Sequence, residues 1–318
     1  MKTPKRIVVT GALGHIGSRL IRDLPLAFPS VQILMIDNLI TQRYSSLFDL
    51  PKNGRYKFMG HDILDIDFEN VLQPKDVVVH LAAVTDAAQS FQNQEDVELV
   101  NYKGTVRVAN ACAKIGCAFI FPSSTSVYGS TASLVDENCP KSELNPQSPY
   151  ADNKLKVENY LKQKAKKSGL KFITCRFGTI CGISKGMRFH TAVNKFCWQS
   201  VIGQPLSVWA TALHQKRPYL SLSDASKAVQ FIISKNLFDG EIYNVVTDNF
   251  TVHDIVQSIK RTVPNVRIEL VDAQIMNQLS YAVASEKFRK KGFMFSGNIH
   301  KDINDTIKLL RKAHDHVL

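Results

Sequence analysis

A tyrosine and a lysine stand four residues apart in the segment Pro149-Tyr-Ala-Asp-Asn-Lys154. The segment opens a helical pattern, so Tyr150 and Lys154 project from the same helical face. A nearby ammonium group stabilises phenolate and lowers the pKa of a tyrosine, which turns this weak acid into a usable general base. The same spacing is common on exposed lysine-rich helices, so the pair alone does not establish a catalytic site.

A hydroxyl-rich segment, Phe121-Pro-Ser-Ser-Thr-Ser-Val-Tyr-Gly129, follows a strand pattern at 118–121. Serines and threonines also close strands in ordinary turns. Here, however, the hydroxyls come at the end of a buried strand, and in open α/β sheets ligands bind at that edge. The segment is therefore a second candidate part of an active site.

Three glycines, Gly11, Gly14 and Gly17, lie where the first strand pattern passes into the first helical pattern. Gly11 permits a tight turn, Gly14 lets backbone N–H groups approach a diphosphate, and Gly17 allows close packing of helix on strand. A glycine triplet by itself also fits a plain turn into a helix. Its position between a strand and a helix is the one that a dinucleotide-binding loop requires.

An acidic residue strengthens this interpretation, because Asp37 lies 20 residues after Gly17, at the end of the second strand pattern. A carboxylate there can hold the ribose hydroxyls of adenosine and repels a 2′-phosphate. Its neighbour is Asn38 rather than an arginine. The sequence therefore favours NAD over NADP.

The first half of the chain alternates apolar, β-branched runs with helical patterns. The strand patterns are 6–10, 32–36, 76–80, 118–121 and 171–177, and the helical patterns are 15–24, 98–115 and 150–168. The alternation predicts an α/β fold with a doubly wound parallel sheet of the Rossmann type. After residue 180, a strand-like run at 205–209 and helical patterns near 191–201, 224–235 and 251–262 predict a smaller lobe over the carboxyl edge of the sheet.

These features together resemble the extended short-chain dehydrogenase/reductase family, in its NAD-dependent sugar-nucleotide epimerase/dehydratase branch. Further matching segments are Asp37-Asn-Leu, His61-Asp62-Ile63, His80-Leu-Ala-Ala83, Asn101-Tyr-Lys-Gly-Thr105, Arg176-Phe and Arg217-Pro-Tyr-Leu-Ser-Leu-Ser-Asp224. We expect residues 1–180, with 215–248, to form the NAD-binding domain. Residues 181–318, mainly 181–214 and 249–318, would form a C-terminal α/β lobe for the substrate.

The resemblance implies roles for individual residues. Tyr150 matches the catalytic base, Lys154 the residue that binds the nicotinamide ribose, and Ser124 the catalytic hydroxyl. The expected cofactor contacts are Gly11, Leu13, Gly14, His15, Ile16, Gly17, Asp37, Asn38, Asp62, Ile63, Leu81, Ala82, Ala83, Asn101, Ser123, Tyr150 and Lys154. The expected substrate contacts are Thr85, Ser124, Thr125, Thr179, Arg188, Asn194 and Arg217.

The residues after Ser124 select among the reactions of the family. In the 4,6-dehydratases an Asp-Glu pair follows this hydroxyl residue, and the decarboxylating relatives usually keep the Glu. Here Thr125 and Ser126 stand instead, and neither supplies a carboxyl group for acid/base chemistry. The expected function is C4 epimerisation of a nucleotide-diphosphate sugar through a transient keto-sugar. A 4-dehydrogenase that releases the keto-sugar and a non-catalytic NAD sensor remain as alternatives.

The end of the strand pattern at 171–177 departs from the common epimerase pattern, because Arg176-Phe-Gly-Thr179 stands where many relatives have Arg-Tyr-Phe-Asn. The stretch Met187–Lys195 resembles a less familiar epimerase-like subgroup associated with surface-polysaccharide sugars. Its Arg188 and Asn194 could contact a diphosphate or a sugar, although an exposed polar helix start explains them nearly as well.

Composition sets the remaining expectations. The 318 residues are 44% apolar and carry a net charge of +12, which fits a globular chain and admits an acidic substrate, nucleic acid or a membrane surface as partner. The lysines at 154–171 come without a recognition motif, so nucleic-acid binding is disfavoured. Six cysteines without C-x-x-C spacing indicate a reduced, cytoplasmic protein without a metal site, and no run is long enough to span a membrane. The family resemblance, rather than composition, implies a homodimer, and the helices at 98–115 and 150–168 are the candidates for its interface.

Overall fold

The computed structural model describes residues 4–129, 133–272 and 280–314. The strands are β1 (Arg6–Thr10), β2 (Gln32–Ile36), β3 (Arg55–Met59), β4 (Val77–His80), β5 (Ala118–Ser124), β6 (Leu134–Val135), β7 (Lys171–Phe177), β8 (Thr179–Cys181), β9 (Leu206–Trp209), β10 (Lys216–Ser221), β11 (Ile242–Val245), β12 (Asp248–Thr251), β13 (Ile268–Val271) and β14 (Ala282–Val283).

The helices alternate with these strands. They are α1 (His15–Ala27), α2 (Phe68–Val71), α3 (Gln94–Val97), α4 (Thr105–Ile115), α5 (Pro149–Ser168), α6 (Ala192–Val201), α7 (Leu222–Lys235), α8 (Val252–Thr262), α9 (Glu286–Arg289) and α10 (Ile299–His314). A π-helical segment, Glu98–Gly104, joins α3 to α4. The described part of the chain has no helix that is both long and apolar enough to cross a membrane.

The central sheet is parallel and has seven strands in the order β11-β7-β5-β4-β1-β2-β3. This confirms the predicted α/β fold with a doubly wound sheet. The chain order reverses between β1 and β4, whose last residues Thr10 and His80 are register partners. Ligands of open α/β sheets bind in the crevice that opens beyond the strands at such a reversal.

The strands of this sheet are buried on both faces, which explains their continuous apolar runs. One face packs against α1 and α7, and the other against α4 and α5. The edge strand β3 was not predicted, because its residues alternate between exposed and half-buried positions. Strand β11 was also missed, because Asn244 interrupts its short apolar run.

A separate apolar core holds the region beyond residue 180. It gathers residues of α6, α8 and α10 around β9. Phe288 and Phe293, which the sequence-based division assigns to the smaller lobe, pack instead in the core of the main sheet beside α7. The exact division into two domains stays a prediction.

Candidate active site

Helix α5 carries Tyr150 and Lys154 into the carboxyl edge of the sheet. It begins at Pro149, where a missing N–H costs nothing, and the Ser148 hydroxyl accepts a hydrogen bond from the Ala151 N–H at 3.2 Å. The Lys154 ammonium donates to the carbonyl of Pro122 at 2.8 Å and lies 5.7 Å from the centre of the Tyr150 ring. The predicted spacing therefore places both groups at the end of β5.

Ser124 is the last residue of β5 and lies beside Tyr150. Its Oγ accepts hydrogen bonds from the N–H and the hydroxyl of Ser126, at 3.1 and 2.8 Å. A hydrogen bond with Ser124 also lowers the pKa of the Tyr150 phenol. With two bonds accepted, the Ser124 hydroxyl keeps its own proton to donate into the cavity.

The electrostatics of Tyr150 differ from the expectation. Burial raises the pKa of the phenol, and the opposing charge comes from Arg188, not from Lys154. The pKa of Lys154 is itself lowered to about 8 by burial, although the Glu158 carboxylate opposes this shift. Tertiary structure thus adds a cation to the pair that the sequence identified.

A buried ion pair lies beneath the catalytic residues. The Glu158 carboxylate accepts hydrogen bonds from Arg176 Nε and Nη2 at 3.0 and 2.6 Å, and from the Ser123 hydroxyl at 2.6 Å. Ser123 lines the cavity but turns its hydroxyl inward, so its side chain is not placed to bond a cofactor as predicted. Glu158 was overlooked, although its position four residues after Lys154 puts it on the same helical face.

The glycine loop opens the crevice beyond β1. A Cβ at residue 11 would lie 2.6 Å from the Ala82 nitrogen, and one at residue 17 would lie 2.3 Å from the Gly11 oxygen. Gly11 also has a φ of +64°, in the left-handed region. Both positions therefore require glycine, as the sequence predicts.

Helix α1 starts at this loop without an acidic residue in its first turn, and no described side chain caps its Gly14 start. The first N–H groups, including those of His15 and Ile16, point out of the helix end. Such an end binds phosphate, because the exposed N–H groups and the helix dipole favour an anion. The diphosphate of a dinucleotide fits this loop.

The carboxylate of Asp37 is fixed at the end of β2. Its two oxygens accept hydrogen bonds from the Leu13 and Leu39 N–H groups, both at 3.0 Å. The N–H of Leu13 is thus occupied by Asp37, and the predicted contact of Leu13 with the cofactor stays a prediction. Each Asp37 oxygen keeps a free lone pair for a ribose hydroxyl.

Asn38 and Asp62, two further predicted cofactor contacts, lie beside Asp37, and Ile63 follows them. The Asn38 amide donates to the Asp62 carboxylate at 2.7 Å, so these side chains form one polar rim. Ile63 is buried in the core, where a Cβ at residue 104 would lie 2.7 Å from its Cδ1. Only its outer edge is left for an adenine.

Strand β4 ends in a network that holds the next loop. The Thr105 hydroxyl donates to the Asn101 carbonyl, so it accepts from His80 Nε2, and His80 Nδ1 in turn accepts from Thr10. Burial lowers the pKa of His80 to about 3, which keeps the ring neutral. Asn101 uses both amide atoms on the backbone of Val84, so it positions this loop and does not contact the cofactor as predicted.

A cavity of about 310 Å³ lies where these elements meet. The predicted residues that line it are Ile16, Leu81, Ala83, Thr85, Ser123, Ser124, Thr125, Tyr150, Lys154, Thr179, Arg188 and Arg217. Ala82 lies just beneath and donates its N–H to Thr10. A wider groove of about 940 Å³ beside α3 and α5 contains none of the predicted catalytic side chains.

One wall of the cavity is formed by residues 183–191, which we call the covering segment. It packs on the glycine loop, because the Gly186 N–H donates to Ser18 and a Cβ at 186 would lie 2.2 Å from the Leu13 oxygen. His15 Nδ1 and the Ser184 hydroxyl are 2.9 Å apart, and burial lowers the pKa of His15 to about 3. The imidazole thus shapes the loop as a neutral group.

Within the covering segment, Arg188 faces the cavity. Its Nη1 donates to the Thr85 hydroxyl at 2.7 Å, while its Nε is enclosed without a hydrogen-bond partner among the described residues. Asn194 is fully buried, does not line the cavity, and donates to the Arg188 carbonyl at 3.0 Å. The predicted substrate contact of Asn194 is therefore corrected to a positioning role for Arg188.

The cavity is also lined by Arg217 and by a residue that the sequence did not indicate, Tyr281. The Arg217 guanidinium lies 5.8 Å from the Tyr281 ring centre and donates to the Gln215 side chain at 2.6 Å. The Tyr281 hydroxyl donates to the Thr125 carbonyl at 3.1 Å. Tyr281 comes from a distant part of the chain and carries no local motif, so only the fold reveals it.

Comparison with known proteins identifies the family. The family model described as the NAD dependent epimerase/dehydratase family matches residues 7–245, well over half of the chain. The chain belongs to this family. The predicted family is confirmed, and NAD, as the cofactor of the family, is confirmed with it.

Individual relatives agree with this assignment. One relative is a trifunctional UDP-glucose 4,6-dehydratase/UDP-4-keto-6-deoxy-D-glucose 3,5-epimerase/UDP-4-keto-L-rhamnose-reductase of Arabidopsis thaliana. The two sequences are 28% identical over 92% of this chain, but the matched region is only 44% of the longer relative. It is 29% identical to an uncharacterized UDP-glucose epimerase of Bacillus subtilis, over 76% of each chain.

The fold is shared with a solved epimerase. The UDP-glucuronic acid 4-epimerase of Bacillus cereus, in complex with UDP-glucuronic acid and NAD, superposes with a TM-score of 0.87 at 22% identity, covering 97% of this chain and 99% of the other. At this identity the likeness establishes the architecture. The reaction and the substrate must be argued from the site itself.

Proposed function

We propose that this protein is an NAD-dependent sugar-nucleotide 4-epimerase. The observation that carries the proposal is the chemistry of the two residues after Ser124. The Thr125 hydroxyl donates to the Phe177 carbonyl at 3.3 Å, and the Ser126 hydroxyl donates to Ser124. Both groups are engaged, and both are far weaker acids than a carboxyl group.

This arrangement favours epimerisation over dehydration, which relatives of the family also catalyse. Loss of water from a keto-sugar needs an acid for the departing hydroxyl and a base for the neighbouring carbon acid. The described residues that line the cavity include no aspartate or glutamate. Epimerisation needs only the transfer of a hydride at C4 and of a proton at the oxygen on C4. The side chains that line the cavity are sufficient for the proton transfer.

The mechanism follows from the positions of three side chains. Tyr150 acts as the base that takes the proton from the C4 hydroxyl and later returns it; the charge of Arg188 and the hydrogen bond with Ser124 favour its phenolate against the burial that raises its pKa. Ser124 donates a hydrogen bond to the same oxygen, and Lys154 anchors α5 against β5 next to the phenol. NAD, when held by the glycine loop and Asp37, supplies the hydride acceptor and donor.

Anchoring at Arg217 would allow the sugar to turn. Arg217 is placed beside Tyr281, and a guanidinium fits the oxygens of a diphosphate. With the diphosphate held there, the ring can present either face to the cofactor. A keto-sugar that turned in this way would accept its hydride on the second face and would become the C4 epimer.

A substrate panel tests the proposal. Purified protein with NAD is incubated with UDP-, GDP- and CDP-sugars, products are separated by chromatography, and reduced cofactor is followed by absorbance. Isomer formation without net cofactor reduction is expected, and Tyr150→Phe abolishes it. Stoichiometric reduction with release of a keto-sugar would instead identify a 4-dehydrogenase. Tight NAD binding with no turnover of any sugar would favour a sensor.

We also propose that the protein acts in the cytoplasm, as a homodimer, in the supply of a surface-polysaccharide sugar. The similarity of Met187–Lys195 to the polysaccharide-associated subgroup supports the pathway. The groove along α3 and α5 supports the dimer, because it runs beside the helices expected to pair and exposes Phe91 and Leu99. Light scattering after size-exclusion chromatography tests the dimer. We assign neither nucleic acid nor membrane as a partner.

A further inference from the structure

Arg188 is the most poorly satisfied cation around the catalytic cavity. It lines the cavity together with Tyr150 and Thr85. Its only described side-chain hydrogen bond runs from Nη1 to the neutral Thr85 hydroxyl, and its enclosed Nε has no described partner. Burial lowers the pKa of this guanidinium, which is the mark of a charge separated from water.

The groups that face Arg188 do not neutralise it. Arg43 adds a second positive charge, and His15 and His190 are also near. Asp86 is the one carboxylate that acts on Arg188, but its Oδ1 accepts from the Ala88 and Gln89 N–H groups at 3.0 Å. Among the described residues no ion pair within 4.0 Å joins Asp86 to Arg188. Within the described ranges this charge therefore has no close counter-ion.

A second unsatisfied group lies in the same cavity. The Thr191 hydroxyl, three residues after Arg188, is enclosed and has no hydrogen-bond partner in the described part of the chain. Native proteins seldom leave buried donors unpaired, so two such groups in one cavity indicate a ligand that completes them. A carboxylate fits, because its two oxygens match the fork of a guanidinium and can also accept from a hydroxyl.

Three anions could reach Arg188, and position separates them. The start of α1 is suited to the cofactor diphosphate, with Arg43 Nη1 4.0 Å from the Cβ position of Gly14. Arg217, beside Tyr281, is assigned to the substrate diphosphate. Arg188 instead lines the catalytic cavity together with Ser124 and Tyr150 and donates to the Thr85 hydroxyl, which places it on the side of the reacting sugar. We propose that Arg188 binds a carboxylate on the sugar ring, so that the substrate is a nucleotide-diphosphate uronic acid.

This inference rests on the proposed function and narrows its substrate class, but a binding experiment tests it separately. UDP-glucuronic acid and UDP-glucose differ only at C6, where a carboxylate replaces a hydroxymethyl group. Each is titrated calorimetrically into NAD-loaded Tyr150→Phe protein, which cannot turn them over. We expect the acid to bind about a hundredfold more tightly, as removal of a desolvated charge pair predicts.

Substitutions in the covering segment test whether Arg188 causes the preference for the acid. Arg188→Met should make the two affinities equal, and Arg188→Lys, which keeps the charge but loses the fork, should retain part of the preference. Lys185→Gln, a change at a solvent-exposed ion pair in the same segment, serves as the matched control and should leave the preference unchanged. Folding of each variant is checked by its thermal unfolding, and Arg188→Lys keeps the test open if Arg188→Met unfolds.

The outcomes separate the two proposals. A preference for the acid that depends on Arg188 supports the uronic-acid inference even if no epimer forms, in which case only the proposed reaction fails. Equal affinities, or no binding of either nucleotide sugar, overturn the inference. If Arg188→Met weakens NAD binding and both sugars alike, Arg188 is a cofactor ligand and the inference is wrong.

Discussion

The two walls of the catalytic cavity differ in how their polar groups are satisfied. On the wall formed by β5 and α5, Lys154 bonds the Pro122 carbonyl and Ser123 bonds the Glu158 carboxylate, which also binds Arg176. On the wall formed by the covering segment and its neighbours, several enclosed atoms have no described partner. Among the side chains that line the cavity, these are Arg188 Nε and Thr191 Oγ1, while His15 Nε2 and Asn194 Oδ1 lie behind them; on α5 the unpartnered atom, Asn153 Oδ1, lies outside the cavity.

The difference separates catalysis from recognition. Groups that transfer protons must be held in place before the substrate arrives, and regular elements with complete hydrogen bonding do this best. Groups that recognise a ligand gain from being unsatisfied until it binds, because the ligand then relieves a buried polar cost. The first wall therefore fits a catalytic role, and the second a role in choosing the substrate.

The largest effect is expected on the satisfied wall. Tyr150→Phe removes the proton acceptor and should lower kcat/KM for epimerisation by about 1,000-fold or more. The fold should be intact, so the free energy of unfolding in urea should stay close to that of the wild type. Retention of a tenth of the activity would show that another group is the base.

Glu158→Gln tests how far the first wall depends on its buried ion pair. The change leaves the Arg176 guanidinium without its counter-charge and should destabilise the protein by about 3–5 kcal/mol in urea unfolding. The control is Asp49→Asn, which breaks an exposed ion pair with Lys185 and should not measurably change stability. An equal loss of unfolding free energy in Glu158→Gln and Asp49→Asn would contradict the conclusion that the buried ion pair stabilises the protein more than the exposed one.

His80 and His15, which lie near the two walls, should make the stability of the protein depend on pH. Burial lowers the pKa of both His80 and His15 from 6.5 to about 3. Between these values the unfolded chain binds more protons, so stability should fall as the pH drops below about 6.5. Each histidine contributes up to about 1.4 kcal/mol per pH unit.

Unfolding in urea at several pH values between 4 and 7 measures this slope. His80→Gln and His15→Gln should each reduce it, whatever they do to stability at neutral pH. A slope that neither substitution changes would mean that both rings are protonated in the folded protein or that other groups dominate.

The smallest effects come from single hydroxyls. Ser123→Ala removes a bond to the Glu158 carboxylate and should cost about 1–2 kcal/mol of unfolding free energy. Thr191→Val removes a hydroxyl without a described partner and keeps the shape, so stability should change by less than about 0.5 kcal/mol. A larger loss for Thr191→Val would show that its hydroxyl is satisfied without ligand.

Sequence reasoning succeeded where the chemistry is local. The glycine loop, Asp37 and the pair of Tyr150 and Lys154 each lie at the junction of a strand and a helix, where spacing along the chain sets position in space. It failed for side chains whose atoms are used elsewhere. Asn101 uses both amide atoms on the backbone of Val84, and Asn194 donates its amide N–H to the Arg188 carbonyl, which no spacing reveals.

Residues from distant segments were beyond sequence reasoning for a second reason. Arg43, Thr191 and Tyr281 reach the cavity or its rim through the packing of separate elements. Arg43 and Tyr281 belong to no periodic pattern or motif, and Thr191, although it lies in the stretch Met187–Lys195, carried no signal that marked it as a site residue. Their contribution depends on long-range contacts, and these are formed only when the sheet and the second core assemble.

The amino-acid sequence by itself determined the family, the parallel sheet, the cofactor loop and the three catalytic candidates, because hydrophobic periodicity and short-range spacing encode them. Only the tertiary structure decided which polar atoms are satisfied and which cation acts on Tyr150. The physical reason is that burial and charge interact through space, over distances unrelated to separation along the chain. The assignment of Arg188 to a substrate carboxylate depends entirely on that second kind of information.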